Sequence, residues 1–209
     1  MTLPLTTPRP FVPGTTGWTA DDLNDPEIER QWERGAYEIV EGVLTTMPPA
    51  YFDGSIALQN LIDVLNEYFR RTKQRGAFGP EADLVIGKKR IARVDAAWMS
   101  LADLARQKAA NASRGKKGLR YGRLLVPPTL VIESVSMGHE DHDTETKSRW
   151  YAEFRIPNYF ILDAYARTLE CLVLRGKKYA IDSEGKDDEE IRPAAFPGLT
   201  VRLKDVWGD

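Results

Sequence analysis

The chain has 209 residues, a single cysteine and a formal net charge of −2, with 42% hydrophobic and 29% charged residues. This composition is typical of a globular protein with a real core. The net charge excludes a polycation that binds nucleic acid through its overall charge, and a single cysteine excludes an intramolecular disulfide. The sequence contains no apolar run of the ~20 residues that cross a membrane. We therefore expect a cytoplasmic protein with a flexible Pro/Thr-rich tail over residues 1–18 and one domain over residues 19–209.

The first half of the domain is predicted to contain a hairpin, a helix and two strands. Tyr37–Met47 alternates in polarity around a glycine turn, and Ser55–Arg71 carries apolar residues at helical spacing. Two strands follow, at Asp83–Gly87 and Ile91–Met99. The second contains Asp95, a charged side chain within an apolar strand, which indicates either a buried cationic partner or a bound metal.

A basic segment then runs from Arg106 to Arg123, after a short helical piece at Leu101–Lys108. It contains seven lysines and arginines and no acid. Two interpretations stay open for it, a solvated loop and an arm that contacts phosphates.

A strand–helix–strand unit follows. The apolar strand Thr129–Ile132 stops at Glu133, and the apolar strand Tyr159–Leu162 stops at Asp163. A buried strand that ends in a carboxylate beside a helix start is where open α/β sheets usually place their chemistry. The helix between them is predicted from an N-cap and an apolar stripe, provided by Asp143 or Thr144 and by Trp150, Tyr151 and Phe154.

Lys147 makes this helix more than a scaffold. It lies three residues before Trp150 and four before Tyr151, so it shares the buried face. A buried ammonium needs a partner, and Glu133 is the nearest candidate; the alternative is a lysine that reaches past the aromatic rings to water.

The remainder of the chain predicts two further strands, Leu169–Leu174 and Lys177–Ile181, and a solvated acidic loop, Asp182–Glu190. Strands and helices thus mix in an α/β or α+β order.

Asp95, Glu133 and Lys147 together form the minimal set for metal-assisted hydrolysis of a phosphodiester. The two carboxylates can hold a divalent cation, and the lysine can orient a water or stabilise developing charge. Oxygen ligands favour Mg²⁺ or Mn²⁺ over Zn²⁺.

These residues, taken with their neighbours, resemble the PD-(D/E)XK nuclease superfamily and, more closely, the Uma-two family of putative restriction endonucleases. The resemblance covers Thr19 to Trp207. The matching pieces, in order, are Tyr37–Gly42, Met47–Pro49, Val94-Asp95, Leu130–Glu133 with Ser136, Asp143, Lys147, Tyr151, Ile156–Asp163 and Pro197–Leu199.

The resemblance implies a restriction-endonuclease-like α/β core, a mixed sheet flanked by helices. It implies that Asp95 and Glu133 are the metal-binding acids, that Lys147 supplies the lysine because Val135 stands at the superfamily's usual position, and that Glu38 is a further catalytic carboxylate. Asp163 is interpreted either as structural or as a residue that supports the metal-binding acids from behind. The implied function is metal-dependent hydrolysis of DNA, in preference to RNA, and a homodimer suits cleavage of both strands.

Two alternatives stay open. In the first, the fold is a catalytically inactive module that binds nucleic acid or a protein. In the second, His139 and His142, with the acids beside them, bind Zn²⁺ as part of a different hydrolase. No further histidine exists to complete a zinc site, so a polar surface loop is the favoured interpretation of that stretch.

Overall fold

The structure is a computed structural model, and it describes residues 9–48, 51–113, 123–135 and 142–208, except for the side chains of 142–144. The elements are, in chain order, a 3-10 helix (Ala20–Asn24), α1 (Pro26–Trp32), β1 (Tyr37–Val40), β2 (Val43–Thr46), α2 (Phe52–Arg71), β3 (Gly76–Gly87), β4 (Arg90–Ser100), α3 (Leu101–Ser113), β5 (Arg123–Leu124), β6 (Leu130–Ser134), α4 (His142–Glu153), β7 (Asn158–Asp163), β8 (Thr168–Arg175), β9 (Lys178–Lys186), β10 (Glu190–Ile191), β11 (Val201–Arg202) and α5 (Leu203–Trp207).

Strand β4 is the centre of the sheet because it has three partners. Ile91 is paired with β3 on one side and with β1 on the other, and Ala96 is paired with β3 and with β6. A strand has only two edges, and β3 follows β4 along nearly its whole length. Strands β1 and β6 therefore lie one after the other along the same edge of β4, and a fork opens between them.

Beyond β6 the sheet continues through a parallel neighbour, β7, and then through antiparallel β8 and β9. One core lies between this sheet and α2, where Leu61 and Leu65 pack near Ile132. A second core lies on the α4 side, where Trp150 and Tyr151 pack near Val131. The predicted α/β architecture, a mixed sheet flanked by helices, is confirmed.

The segment of residues 9–18 is packed against the domain. Trp18 is only 1% exposed, its indole nitrogen donates to the Thr15 hydroxyl over 2.7 Å, and Thr16 forms a bridge with Val43 of β2. The flexible tail predicted for residues 1–18 is therefore wrong for residues 9–18, because burial of Trp18 and Phe11 ties them to the β1–β2 hairpin. Residues 1–8 lie outside the described residues, and the single-domain assignment stays a prediction.

Among the helices that the structure describes, none is long and apolar enough to cross a membrane.

Candidate active site

At the fork between β1 and β6, side-chain carboxylates accept backbone N–H groups in place of the carbonyl oxygens of a neighbouring strand. The pairing of β4 with β6 stops at Ala96, and the Ser134 N–H donates instead to Asp95 Oδ2 over 2.6 Å. The pairing of β4 with β1 is limited to Ile91, and the Arg93 N–H donates to Glu38 Oε1 over 2.9 Å. Two carboxylates thus accept the backbone N–H groups that strand pairing leaves without a partner at the fork.

Asp95 and Glu133 are neighbours across this fork. Ala96 is paired with Ile132; Asp95 precedes Ala96 and Glu133 follows Ile132, so in this antiparallel pair the two side chains start from facing positions. Their carboxyl groups are in hydrogen-bonding contact, and both lie near the Lys147 ammonium. The structure therefore brings together the two acids that the sequence analysis assigned to a metal.

Burial and crowding disfavour the charged forms of these acids. Burial raises the pKa of Asp95 above its ordinary value, although the Ser134 N–H and the Lys147 ammonium oppose the rise. Burial raises the pKa of Glu133 to about 8, with Asp95 and Glu38 adding like charge and with Lys147 opposing. A cation in the fork would relieve both effects.

Lys147 joins the two glutamates. It is 5% exposed, and its Nζ lies 3.3 Å from Glu38 Oε1 and 3.4 Å from Glu133 Oε1. The predicted ion pair with Glu133 is present, and the predicted position of Lys147 on the buried face of the helix is confirmed. The pairing with Glu38, which comes from a strand far away in the chain, places this third acid in the same cluster.

Tyr151 is a member of the cluster that the sequence analysis missed. Its hydroxyl donates to Glu133 Oε1, the oxygen that Lys147 also approaches, and its ring packs edge-on against Tyr159 with centroids 5.2 Å apart. The signal was its position four residues after Lys147, which puts both side chains on one helix face. The sequence analysis placed Tyr151 in the apolar stripe and among the residues of the family resemblance, but gave it no role beside Glu133.

We call the cluster of Asp95, Glu133, Glu38 and Lys147 the acid–lysine site. It combines three carboxyl groups with one ammonium group, so its charges do not balance when all are ionised. Among the described residues no group of three acids, histidines or cysteines is arranged to hold a metal ion. Two carboxylates are nevertheless enough for Mg²⁺, which usually keeps several waters and is bound through one or two carboxylates plus substrate phosphate. Asp95 and Glu133 fit this requirement.

Other predicted residues lie outside the site. Asp163 Oδ1 accepts the N–H groups of Tyr165 and Ala166, which is the structural role expected for it. Of the basic segment, Arg106 is paired with Asp103, while Arg123 is 4% exposed and paired with two buried acids. Arg123 is therefore not available to a phosphate, whereas Arg106 stays more than half exposed. The remaining basic residues of the segment, apart from Lys108, lie outside the described residues, as do Ser136 and His139. The side chains of His142 and Asp143 are likewise not described.

Comparison with known proteins adds the family and the fold. The sequence profile described as "Uma2: Putative restriction endonuclease" matches residues 26–204. A crystal structure of a putative nuclease belonging to DUF820, from Anabaena variabilis ATCC 29413, is 14% identical and has a TM-score of 0.64. The match covers 84% of this chain and 91% of that chain. No curated protein matches. The predicted restriction-endonuclease-like fold is confirmed, and the chain belongs to the Uma2 family of putative restriction endonucleases.

Proposed function

We propose that this protein is a divalent-metal-dependent nuclease that hydrolyses phosphodiester bonds of DNA. The observation that carries the proposal is the pairing of Asp95 with Glu133 at the fork, with the Lys147 ammonium 3.4 Å from Glu133 Oε1. The family membership supports the reaction class, since its profile spans all four residues of the acid–lysine site.

Asp95 and Glu133 would hold the cation, Mg²⁺ or Mn²⁺. When bound, such an ion polarises a phosphate and lowers the pKa of a coordinated water. Each acid already has one oxygen engaged by the protein, Asp95 Oδ2 by the Ser134 N–H and Glu133 Oε1 by Tyr151. The protein thereby fixes the orientation of both carboxylates, as a site with few ligands requires.

Lys147, which lies beside Glu133, would act on the substrate or on the attacking water. Its ammonium can orient the attacking water or stabilise charge that develops on the phosphate. Glu38 is a positioning residue in this scheme: its Oε1 accepts the Arg93 N–H and lies 3.3 Å from Lys147 Nζ, so it ties the lysine to the edge of β4.

The direct test is a cleavage assay on plasmid and on single-stranded DNA, with Mg²⁺, Mn²⁺ or EDTA. We expect cleavage by the wild type with metal, none with EDTA, and none by Asp95→Asn, which keeps an oxygen for the Ser134 N–H but removes the charge. Asp163→Asn is the matched control, because Asp163 also lies on a strand of the sheet and also accepts backbone N–H groups. It should cleave like the wild type.

Isothermal titration with Mn²⁺ separates this function from an inactive module of the same fold. We expect the wild type and Asp163→Asn to bind the ion and Asp95→Asn to lose binding. A wild type that neither binds Mn²⁺ nor cleaves either DNA would reject the nuclease and favour the inactive binding module.

A further inference from the structure

Three aromatic side chains are left exposed by the fold. In the part of the chain that the structure describes, the exposed aromatic residues are Tyr51 at 55%, Phe52 at 78% and Tyr165 at 78%. Phenyl and phenol rings this exposed contribute little to a core, and the other large hydrophobic side chains that are exposed are aliphatic. All three residues belong to segments that adjoin the edge of the sheet where β6 and β7 end.

The start of α2 adjoins the acid–lysine site. A Cβ atom placed on Gly54 would lie 3.0 Å from Ser134 Oγ, so this turn of the helix touches the end of β6. The N–H of the same Ser134 donates to Asp95. Phe52 is two residues before Gly54, in the first turn of the helix, and Tyr51 is the residue that precedes the helix.

Tyr165 reaches the same edge from the neighbouring strand. Leu162 of β7 is paired with Ser134 of β6, and the Val135 N–H donates to Leu162 O over 2.8 Å. Asp163 then holds a tight turn by accepting the Tyr165 N–H over 2.9 Å. The turn fixes the backbone at the end of β7 while leaving the ring of Tyr165 in solvent.

The chemistry of this surface favours bases over phosphates. Residues 51–56 and 163–166 contain three aromatic rings and no lysine or arginine. Arg167, the next residue, is paired with Asp187 and Asp188. These two stretches therefore offer a phosphate little attraction, whereas any base can stack on an aromatic face for about 1–3 kcal/mol. Bases that remain paired and stacked in a duplex do not present their faces, so only an unpaired strand can use these rings.

We propose that Tyr51, Phe52 and Tyr165 form an aromatic platform that stacks unpaired bases of a nucleic-acid strand whose backbone enters the acid–lysine site. This inference rests on the proposed function, because it takes the acid–lysine site beside the rings as the place of cleavage. The substrate would then be single-stranded nucleic acid or an unpaired segment such as a loop, a flap or an end.

The test measures binding in EDTA, where cleavage plays no part. The probes are fluorescein-labelled oligothymidine of about 12 nucleotides and a fully paired duplex of the same length. Tyr51→Ala, Phe52→Ala and Tyr165→Ala should each weaken binding of the single strand by about 5- to 150-fold, and leave the Kd of the duplex within about twofold. Phe52→Tyr should bind like the wild type because it keeps a ring to stack on.

Ile181→Ala is the matched control, since Ile181 is 57% exposed on β9, away from this edge. It should bind both probes like the wild type. The platform is rejected if the single-strand Kd is unchanged in all three alanine variants, if duplex binding falls equally, if Ile181→Ala has the same effect, or if the wild type binds no single strand. A wild type that binds through the rings yet cleaves nothing would keep the platform and reject only the nuclease.

Discussion

Two buried charge clusters lie on opposite edges of β4, and they differ in charge balance. The arginine network consists of Glu29, Asp83, Arg93 and Arg123: Arg123 Nη2 lies 2.7 Å from Glu29 and Arg93 Nε lies 2.8 Å from Asp83. Two acids face two guanidinium groups, so this network is neutral by itself. The acid–lysine site has three acids for one ammonium.

The contrast separates a structural cluster from the cluster that we propose to be catalytic. The arginine network joins α1 to β3, β4 and β5, and its charge is balanced by the protein alone, with Trp32 Nε1 donating to Asp83 over 2.6 Å. The acid–lysine site needs a proton or an external cation to balance it. Burial by itself therefore says little about function; an unbalanced buried charge is the informative feature.

The largest expected effect on stability is in the arginine network. Arg123→Ala leaves Glu29 buried without its cation, and we expect the free energy of unfolding to fall by about 3–5 kcal/mol. Urea unfolding measures this. Arg106→Ala is the control, because that arginine is more than half exposed in its pair with Asp103 and should cost at most about 1 kcal/mol. Equal losses in the two variants would mean that the network is not the stabilising cluster.

The acid–lysine site should respond in activity more than in stability. Lys147→Ala should lower the cleavage rate by about 100- to 1,000-fold, the cost of losing one preorganised group that stabilises charge. Its unfolding free energy should fall less than that of Arg123→Ala, because Glu133 can stay protonated when its cation is gone. Lys147→Arg should not restore the rate, since a planar fork does not replace a compact charge. Full activity of Lys147→Ala would remove the lysine from the mechanism.

The pH dependence of stability should distinguish the clusters next. The folded-state pKa of Glu133 is raised to about 8, whereas its unfolded value is ordinary, so the folded state holds an extra proton between about pH 4.5 and 8. In that window stability should fall as pH rises, by up to about 1.4 kcal/mol per pH unit in metal-free protein. Glu133→Gln should remove this slope and be more stable than the wild type at pH 8.

Thermal or urea unfolding in EDTA between pH 5 and 8 gives the measurement. Glu29→Gln is the control in the arginine network, and it should lower stability across the window because it removes the partner of Arg123. A wild-type slope that survives in Glu133→Gln would show that Glu133 does not hold the extra proton.

The smallest expected effect concerns Tyr151. Tyr151→Phe keeps the ring but removes the donor to Glu133, which raises the pKa of that carboxyl further because the hydrogen bond favours its charged form. We expect the pH midpoint of Mn²⁺ binding to move upward, with about tenfold weaker binding near pH 7. Tyr179→Phe, which loses only a bond to the Ile156 carbonyl, should bind Mn²⁺ like the wild type. If both variants have the same pH midpoint of Mn²⁺ binding, Tyr151 contributes only packing.

Local patterns predicted the elements that depend on local forces. The β1–β2 hairpin and the helix α2 lie where turn residues and helical spacing placed them. The sequence analysis was wrong at two strand ends: β3 begins at Gly76 instead of Asp83, and β9 continues to Lys186 through the predicted acidic loop. In both cases backbone pairing with a long neighbour, β4 or β8, overrides weak strand propensity.

The residues of the site also divide into those that nearby sequence predicts and those that depend on distant segments. Lys147 could be placed beside Glu133 because helix spacing and the adjoining strand are close in the chain. The adjacency of Asp95 and Glu133 depends on the register of two strands, which spacing does not reveal, and Glu38 was assigned only through the family resemblance. Arg123 was grouped with the basic segment, since nothing local shows that Glu29 and Asp83 bury it.

The shared edge of β4 also has a consequence for folding. Glu38 arrives with β1 and Glu133 with β6, and both strands must dock on one edge of β4 before Lys147 finds its two partners. Contacts between distant segments form late, because the chain loses the entropy of loop closure before these contacts stabilise it. A chain still emerging from the ribosome, or one partly unfolded, has the acids but no assembled site. Under the proposed function, hydrolysis would be confined to the completed domain, which would protect a host whose own nucleic acid surrounds each new copy.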